Sequence, residues 1–290
     1  PQTALLHNLL NYSPEYLSGV LQYTNVFEKD KKYPANDPHS RHEYIKNSKL
    51  LTLFGRLNHN GFTTCQYLPP FTRVDVSLKR NPPEYCLIRK AGIQDEYKIE
   101  IIECKFVARR VVYYDSFAEQ FKKILNGPGM AFPYTRTVTR QFDIPIGATS
   151  HRSPVSFPWD ALPKKAYFVI CDHDSINGKN WNNNPMIFPA AKHNVNSVLF
   201  YYADNTPIMQ TPYKVDFDDK NIGRVYTELV QSATNDFKAG IVPGVTGQDM
   251  TAQYGIFPVP ITRKRGGVFV EVAFKKQTTR LLAGLLIVEN

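Results

Sequence analysis

Long apolar runs are missing from this chain of 290 residues: none approaches the roughly 20 residues that a membrane-spanning helix needs. Cysteine is scarce. Cys65, Cys86, Cys104 and Cys171 show no C-x-x-C spacing, and zinc sites draw their thiolates in close pairs, so buried free thiols are expected instead of a zinc knuckle or a disulfide framework. The opening PQTALLHNLL has no charged-then-apolar leader pattern. Pro1 is not an initiator methionine, which points to processing or to a longer parent chain. Also lacking are a G-x-S-x-G elbow, an H-E-x-x-H pair, a glycine loop followed by a phosphate-binding lysine, and a fixed 20–50 residue repeat. The expectation is a chain that is not an enzyme, with no catalytic residue, no metal site and no cofactor.

What is present points to β-structure. Hydrophobic residues make up 42% and charged residues 21%, enough for a packed core, and 21 prolines, 17 tyrosines and 18 phenylalanines favour strands joined by irregular loops. Net charge is +9. A basic balance favours a polyanionic partner, and nucleic acid is the usual one. Lys105, Arg109 and Arg110 stand among Phe106, Tyr113 and Tyr114, a mixture that can stack and pair with single strands. Arg263, Lys264 and Arg265 form a second basic group, and Lys29, Lys31 and Lys32 around Asp30 a third. For each cluster taken alone, a solvated surface is the competing reading.

The chain punctuates itself into elements. Apolar positions from Leu5 to Leu21, broken by Asn11-Tyr12-Ser13-Pro14, read as two short helices with Ser13 as a cap. Short strands are expected at Leu50–Leu57, Phe71–Leu78 and Glu84–Arg89, and a long alternating one at Tyr97–Val107. A helix follows, capped by Asp115 or Ser116, striped by Phe117, Phe121, Ile124 and Leu125, and stopped by Gly127. The stretch GPGMAFP (127–133) is the natural linker. Alternation resumes from Tyr134 to Ile144, and a proline-rich loop covers 145–163. Strands are expected at Tyr167–Cys171, Ser197–Tyr202, Tyr254–Val259, Val268–Phe274 and Leu281–Val288. A helix capped by Asn221 is expected over Ile222–Ser232, and a glycine-rich loop over Ala239–Gly247.

Consecutive Asp172, His173 and Asp174 invite a metal or catalytic reading. In a strand, however, alternation sends the two carboxylates to one face and the imidazole to the other, which is poor geometry for one ion. At a strand end, capping of a turn is the simpler account. Asp204, Asp216, Asp218 and Asp219 likewise lack the spacing of a calcium loop and read as turn acids. Asn177-Gly178 and Asp204-Asn205 are expected turns.

The order of motifs resembles the double jelly-roll capsid proteins of Polinton/Maverick elements and adintoviruses, including copies in animal genomes. It runs through LLNYS (9–13), FGRLNHNGF (54–62), RVDVSLKR (73–80), YKIEIIECKFVARRV (97–111) and RTVTRQFDIPIG (136–147). It continues with LPKK (162–165), DHDSINGKNWNNNP (172–185), Val195–Asp204, and TNDFKAGI with TAQYGIFPV (234–259). The resemblance spans almost the whole chain and rests on motif order. It departs from the family pattern in a short Arg263–Lys276 segment and in lacking the first strands of the first jelly roll. It implies a mostly β fold of two jelly-roll sandwiches with a few short helices, residues 1–126 forming the first and 134–290 the second. It also implies homotrimeric, pseudo-hexagonal capsomers of an icosahedral double-stranded DNA virus, meeting neighbouring capsomers, penton and minor capsid proteins, with packaged DNA against the basic surface. The expected location is the virion. A penton or minor capsid jelly-roll protein, and a β-sandwich module binding nucleic acid or carbohydrate, are the alternatives.

Overall fold

Eight strands between Thr137 and Glu289 form two four-stranded antiparallel sheets, and the fold is mostly β with few helices. The computed structural model describes residues 2–16, 44–55, 57, 62, 67–68, 72–87, 96–132, 135–156, 162–177, 187–234, 244–262 and 267–289. The strands are β1 (Thr137–Ile144), β2 (Ser150–Val155), β3 (Lys165–Asp172), β4 (Val195–Tyr202), β5 (Tyr213–Lys214), β6 (Ile256–Pro258), β7 (Val268–Phe274) and β8 (Leu282–Glu289). One sheet runs β1-β8-β3-β6 and the other β2-β7-β4-β5. Four ladders nest within one another: β1 with β8, β2 with β7, β3 with β6, and β4 with β5. The path is that of one long hairpin folded over itself. Further antiparallel ladders, β3 with β8 and β4 with β7, knit the halves of that hairpin into sheets.

Side-chain pattern tells which strand has cover. In β7, VFVEVAF, valine and phenylalanine alternate with half-buried positions, as expected for a strand with one face on the core. In β3, KAYFVICD, and β8, LAGLLIVE, almost every residue is buried, because the middle of that sheet is covered on both faces. The inner face packs Phe168 against Phe200 of the opposite sheet, with Phe142 and Phe257 alongside (centroid separations 5.9–6.2 Å). Helices among the described residues include α1 (Gln2–Asn11), α2 (Pro14–Tyr16), α3 (Pro83–Cys86), α4 (Asp115–Asn126), α5 (His173–Ile176), α6 (Gly223–Thr234) and α7 (Gly247–Ala252), besides a short 3-10 helix at Lys46–Ser48. Helix α6 packs on β6 and meets α1. Leu5, Leu6, Leu9 and Leu10 of α1 are buried in the same apolar cluster as the strands, with Val225 and Leu229 of α6. The N-terminal helix thus belongs to the core of the C-terminal sandwich, across the expected linker.

Several expectations need correcting. Among the described residues before Thr137, none pairs in a β-ladder. Tyr97–Val107 is a chain without ladder partners, leaving Ile102 76% and Val107 75% exposed. Alternation makes a segment compatible with a sheet, but a strand exists only where another edge pairs with it. Glu84–Cys86, the start of the strand expected over Glu84–Arg89, lie instead in α3, since Pro83 at the first helical position matches helix geometry and needs no N–H partner. Helix α4 is capped at Tyr114 without a side-chain hydrogen bond, and Asp115 is its first residue. The proline-rich loop contains β2, with Pro154 on a strand that lies at a sheet edge, where a missing N–H does no harm. Asn221 does not cap α6; its amide and carbonyl pair with Asp216. By contrast, Ser13 Oγ does accept from Tyr16 N (3.3 Å) at the start of α2.

Candidate functional site

Two regions carry the chemistry-bearing residues. The first is the basic stretch. Lys105, Arg109 and Arg110 all lie exposed in the unladdered segment 96–114. Lys105 makes an ion pair with Glu103 (2.8 Å) in which both side chains remain mostly in solvent, an arrangement worth little. Tyr113 leans on Phe117 and Phe121 of α4 (5.1 and 6.1 Å), and Phe106 on Phe62 (6.1 Å). Tyr114 is 88% exposed. Basic and aromatic side chains thus share this accessible stretch, with the Tyr114 ring the most open to solvent. Arg263, Lys264 and Arg265 lie outside the described residues, as do Cys65 and Gly178.

The second region is the end of the sandwich where β3 runs into α5. The strand stops because Asp172 turns its carboxylate onto the next turn: Oδ1 accepts from Asp174 N (3.1 Å), the geometry of an N-cap. Its other oxygen accepts from Arg280 Nη1 (3.1 Å), which reaches in from the β7–β8 connection. The side chain of His173 lies 3.7 Å from Asp143 and 3.7 Å from Asp174. The Asp172 carboxylate is thus used in capping, and among the described residues no three His, Cys, Asp or Glu side chains converge as metal ligands. Asp216 Oδ1 likewise accepts from Asp218 N and Asp219 N (3.1 and 3.3 Å) and from Lys275 Nζ (2.8 Å). Those contacts hold the Asp216 carboxyl below the usual range, the lysine contributing most. Asp204 Oδ1 accepts from Thr206 N (3.0 Å) in the turn where Asn205 takes a φ of 63°.

Three arrangements were not foreseen. His193 is buried (8% exposed), and its Nε2 has no hydrogen-bond partner. Tyr213 donates its hydroxyl proton to Glu228 of α6, while Arg224 lies 5.0 Å over its ring and pairs with Glu228 (2.8 Å). On the outer face of the second sheet Arg152 lies between the rings of Tyr201 (4.4 Å) and Phe269 (4.9 Å). Tyr213 precedes Arg224 and Glu228 by eleven and fifteen positions, and Arg152, Tyr201 and Phe269 lie on three different strands, so the β-ladders and the helix packing bring them together. A cleft of about 380 Å³ lies between the starts of α6 and α7, beside Lys220, Gly223, Tyr226 and Gln248.

No protein-family model matches the chain, and comparison with curated proteins finds no match either. The reading of function therefore rests on strand connectivity and on the character of the surfaces. No helix among the described residues is long and apolar enough to cross a membrane.

Proposed function

We propose that the chain is a major capsid protein of the double jelly-roll type, building trimeric, pseudo-hexagonal capsomers of an icosahedral double-stranded DNA virus or virus-like element. The observation that carries this reading is the nested pairing of eight strands, first with last and fourth with fifth, closed into facing sheets β1-β8-β3-β6 and β2-β7-β4-β5. That connectivity supports a jelly roll over residues 134–290, because rolling up a single long hairpin produces this order. The order of sequence motifs supports the family. The contributions expected of the chain are architectural: ladders for a stiff wall, loops for contacts between capsomers and with penton and minor capsid proteins, and Lys105, Arg109 and Arg110 as a surface for packaged DNA in the virion. No residue is assigned a catalytic role.

A second reading has an observation in its favour. One eight-stranded sandwich is present among the described residues, and no ladder precedes Thr137. A penton or minor capsid protein with a single jelly roll would have that content. Light scattering coupled to size exclusion, followed by negative-stain imaging, separates the two. The first reading expects trimers with a six-sided outline. Pentameric rings would replace it with the second, and a monomer that binds oligonucleotides with a steep salt dependence would remove both in favour of a binding module.

A further inference from the structure

The β3 end of the sandwich holds three buried polar side chains, with Arg280 at its exposed rim. Asp172 closes β3, Ser175 lies in α5, His193 sits on turn 190–194, and Arg280 comes from the β7–β8 connection. Asp172, Ser175 and His193 are 8%, 5% and 8% exposed. Neither Ser175 Oγ nor His193 Nε2 has a partner. The turn is fastened by main-chain bonds: Val195 N donates to Ala190 O (3.2 Å), and Lys275 N, at the start of the β7–β8 connection, donates to Asn194 O (2.8 Å).

A neutral imidazole tolerates this position. An imidazolium would present a second N–H with nothing to receive it, in a place with little water. The charged groups that face His193 are Asp172, which favours the cation, and Lys192 and Arg280, which oppose it. Asp172 is already engaged by Arg280 and by the amide it caps, so it offers limited compensation. Burial is the largest influence and holds His193 down to about 4, against 6.5 for a free imidazole.

We propose that turn 190–194 is an acid-operated latch, kept closed by neutral, buried His193 and released from the β3 end and the β7–β8 connection when that side chain is protonated. In the open state His193 reaches water and takes up a proton, and the bonds from Lys275 to Asn194 and from Val195 to Ala190 break. In a shell of the kind proposed above, such a latch would loosen particles on acidification. The latch itself does not depend on assembly and is tested on the free chain.

Proton linkage sets the size of the effect. With a folded value of about 4 and a free value of 6.5, the opening constant rises about 20-fold from pH 7 to pH 5. Hydrogen exchange at the amides of Val195 and Lys275, corrected for intrinsic rates, reads that constant directly. The full chain is expected to show the 20-fold rise, His193→Gln to show none, and His173→Gln, which alters a histidine outside the turn, to keep the rise of the unaltered chain. An equal rise in His193→Gln, or no rise in the unaltered chain, overturns the latch. Should His193→Gln fail to fold, the imidazole resonances of the unaltered chain decide. A His193 that titrates near 6.5 without loss of amide protection sinks the idea, and one that stays neutral until protection is lost supports it.

Discussion

Gly284 occupies the middle of β8, opposite Phe142 on β1 and Ile170 on β3. The Phe142 ring lies over it: a methyl group placed on Gly284 would stand 2.4 Å from Cζ and 2.6 Å from Cε2 of that ring. The ring has little freedom inward, because it stacks parallel on Phe168 (5.9 Å, 2° between planes) and near His151 (6.1 Å). In an ordinary strand interior, alanine is more stable than glycine by about 0.5–1 kcal/mol. Here the methyl must drive the ring outward, and overpacking of this kind costs about 1–3 kcal/mol. Gly284→Ala is therefore expected to lose about 1–2 kcal/mol. Phe142→Ala should lose about 2 kcal/mol, less than the roughly 3–5 kcal/mol of a fully buried phenylalanine, since the ring is only half-buried. With the ring gone the methyl has room, so the double variant should be no worse than Phe142→Ala alone. The coupling is then about 2 kcal/mol, against the ~0.5 kcal/mol scatter of independent sites. Urea unfolding followed by circular dichroism on all four proteins measures it. Additive losses, or a Gly284→Ala protein more stable than the parent, would refute the argument.

Two further outcomes are expected. Thr246 caps α7 reciprocally with Asp249, its Oγ1 accepting from Asp249 N (3.2 Å) while Asp249 Oδ2 accepts from Thr246 N (2.8 Å). Thr246→Ala should cost about 1 kcal/mol in the same urea experiment, and a loss below ~0.3 kcal/mol would mean that Met250, buried in the core, anchors the helix unaided. If Arg109 and Arg110 contact phosphates, Arg109→Glu with Arg110→Glu should flatten the salt dependence of duplex DNA binding by about two in log–log slope. Filter binding between 50 and 200 mM salt (roughly the range over which counterion release is read) measures this, and an unchanged slope places the DNA contact elsewhere.

How far the sequence carried depended on whether the signal was local. Strands β3, β4, β7 and β8 were readable because their apolar runs are long, and their boundaries shift by only one or two residues. The turn acids were readable for the same reason: Asp172 and Asp204 accept from amides two positions on. Strand β2 hid in a proline-rich stretch, since only its place at a sheet edge makes Pro154 tolerable. Tyr97–Val107 misled in the opposite sense, with an alternation that no neighbouring edge answers. His193 gave no signal, for its turn is polar and Asp172 lies 21 positions earlier; the fold alone makes that histidine unusual.

The nested ladders also set a timetable. β8 is the last of the eight strands to be synthesised, yet in its sheet it lies between β1 and β3, and Thr137 must find Glu289. At about 5–20 residues per second on the ribosome, β1 waits roughly 10–30 s for that partner. β3 meanwhile has only the three-residue β6 to pair with in that sheet. During this interval the hydrogen-bonding edges of β1 and β3 are bare, and in a cell making many copies at once they can as easily pair with a neighbouring nascent chain. Yield of native protein should therefore depend on how fast and how crowded its synthesis is, more than on the stability of the finished sandwich.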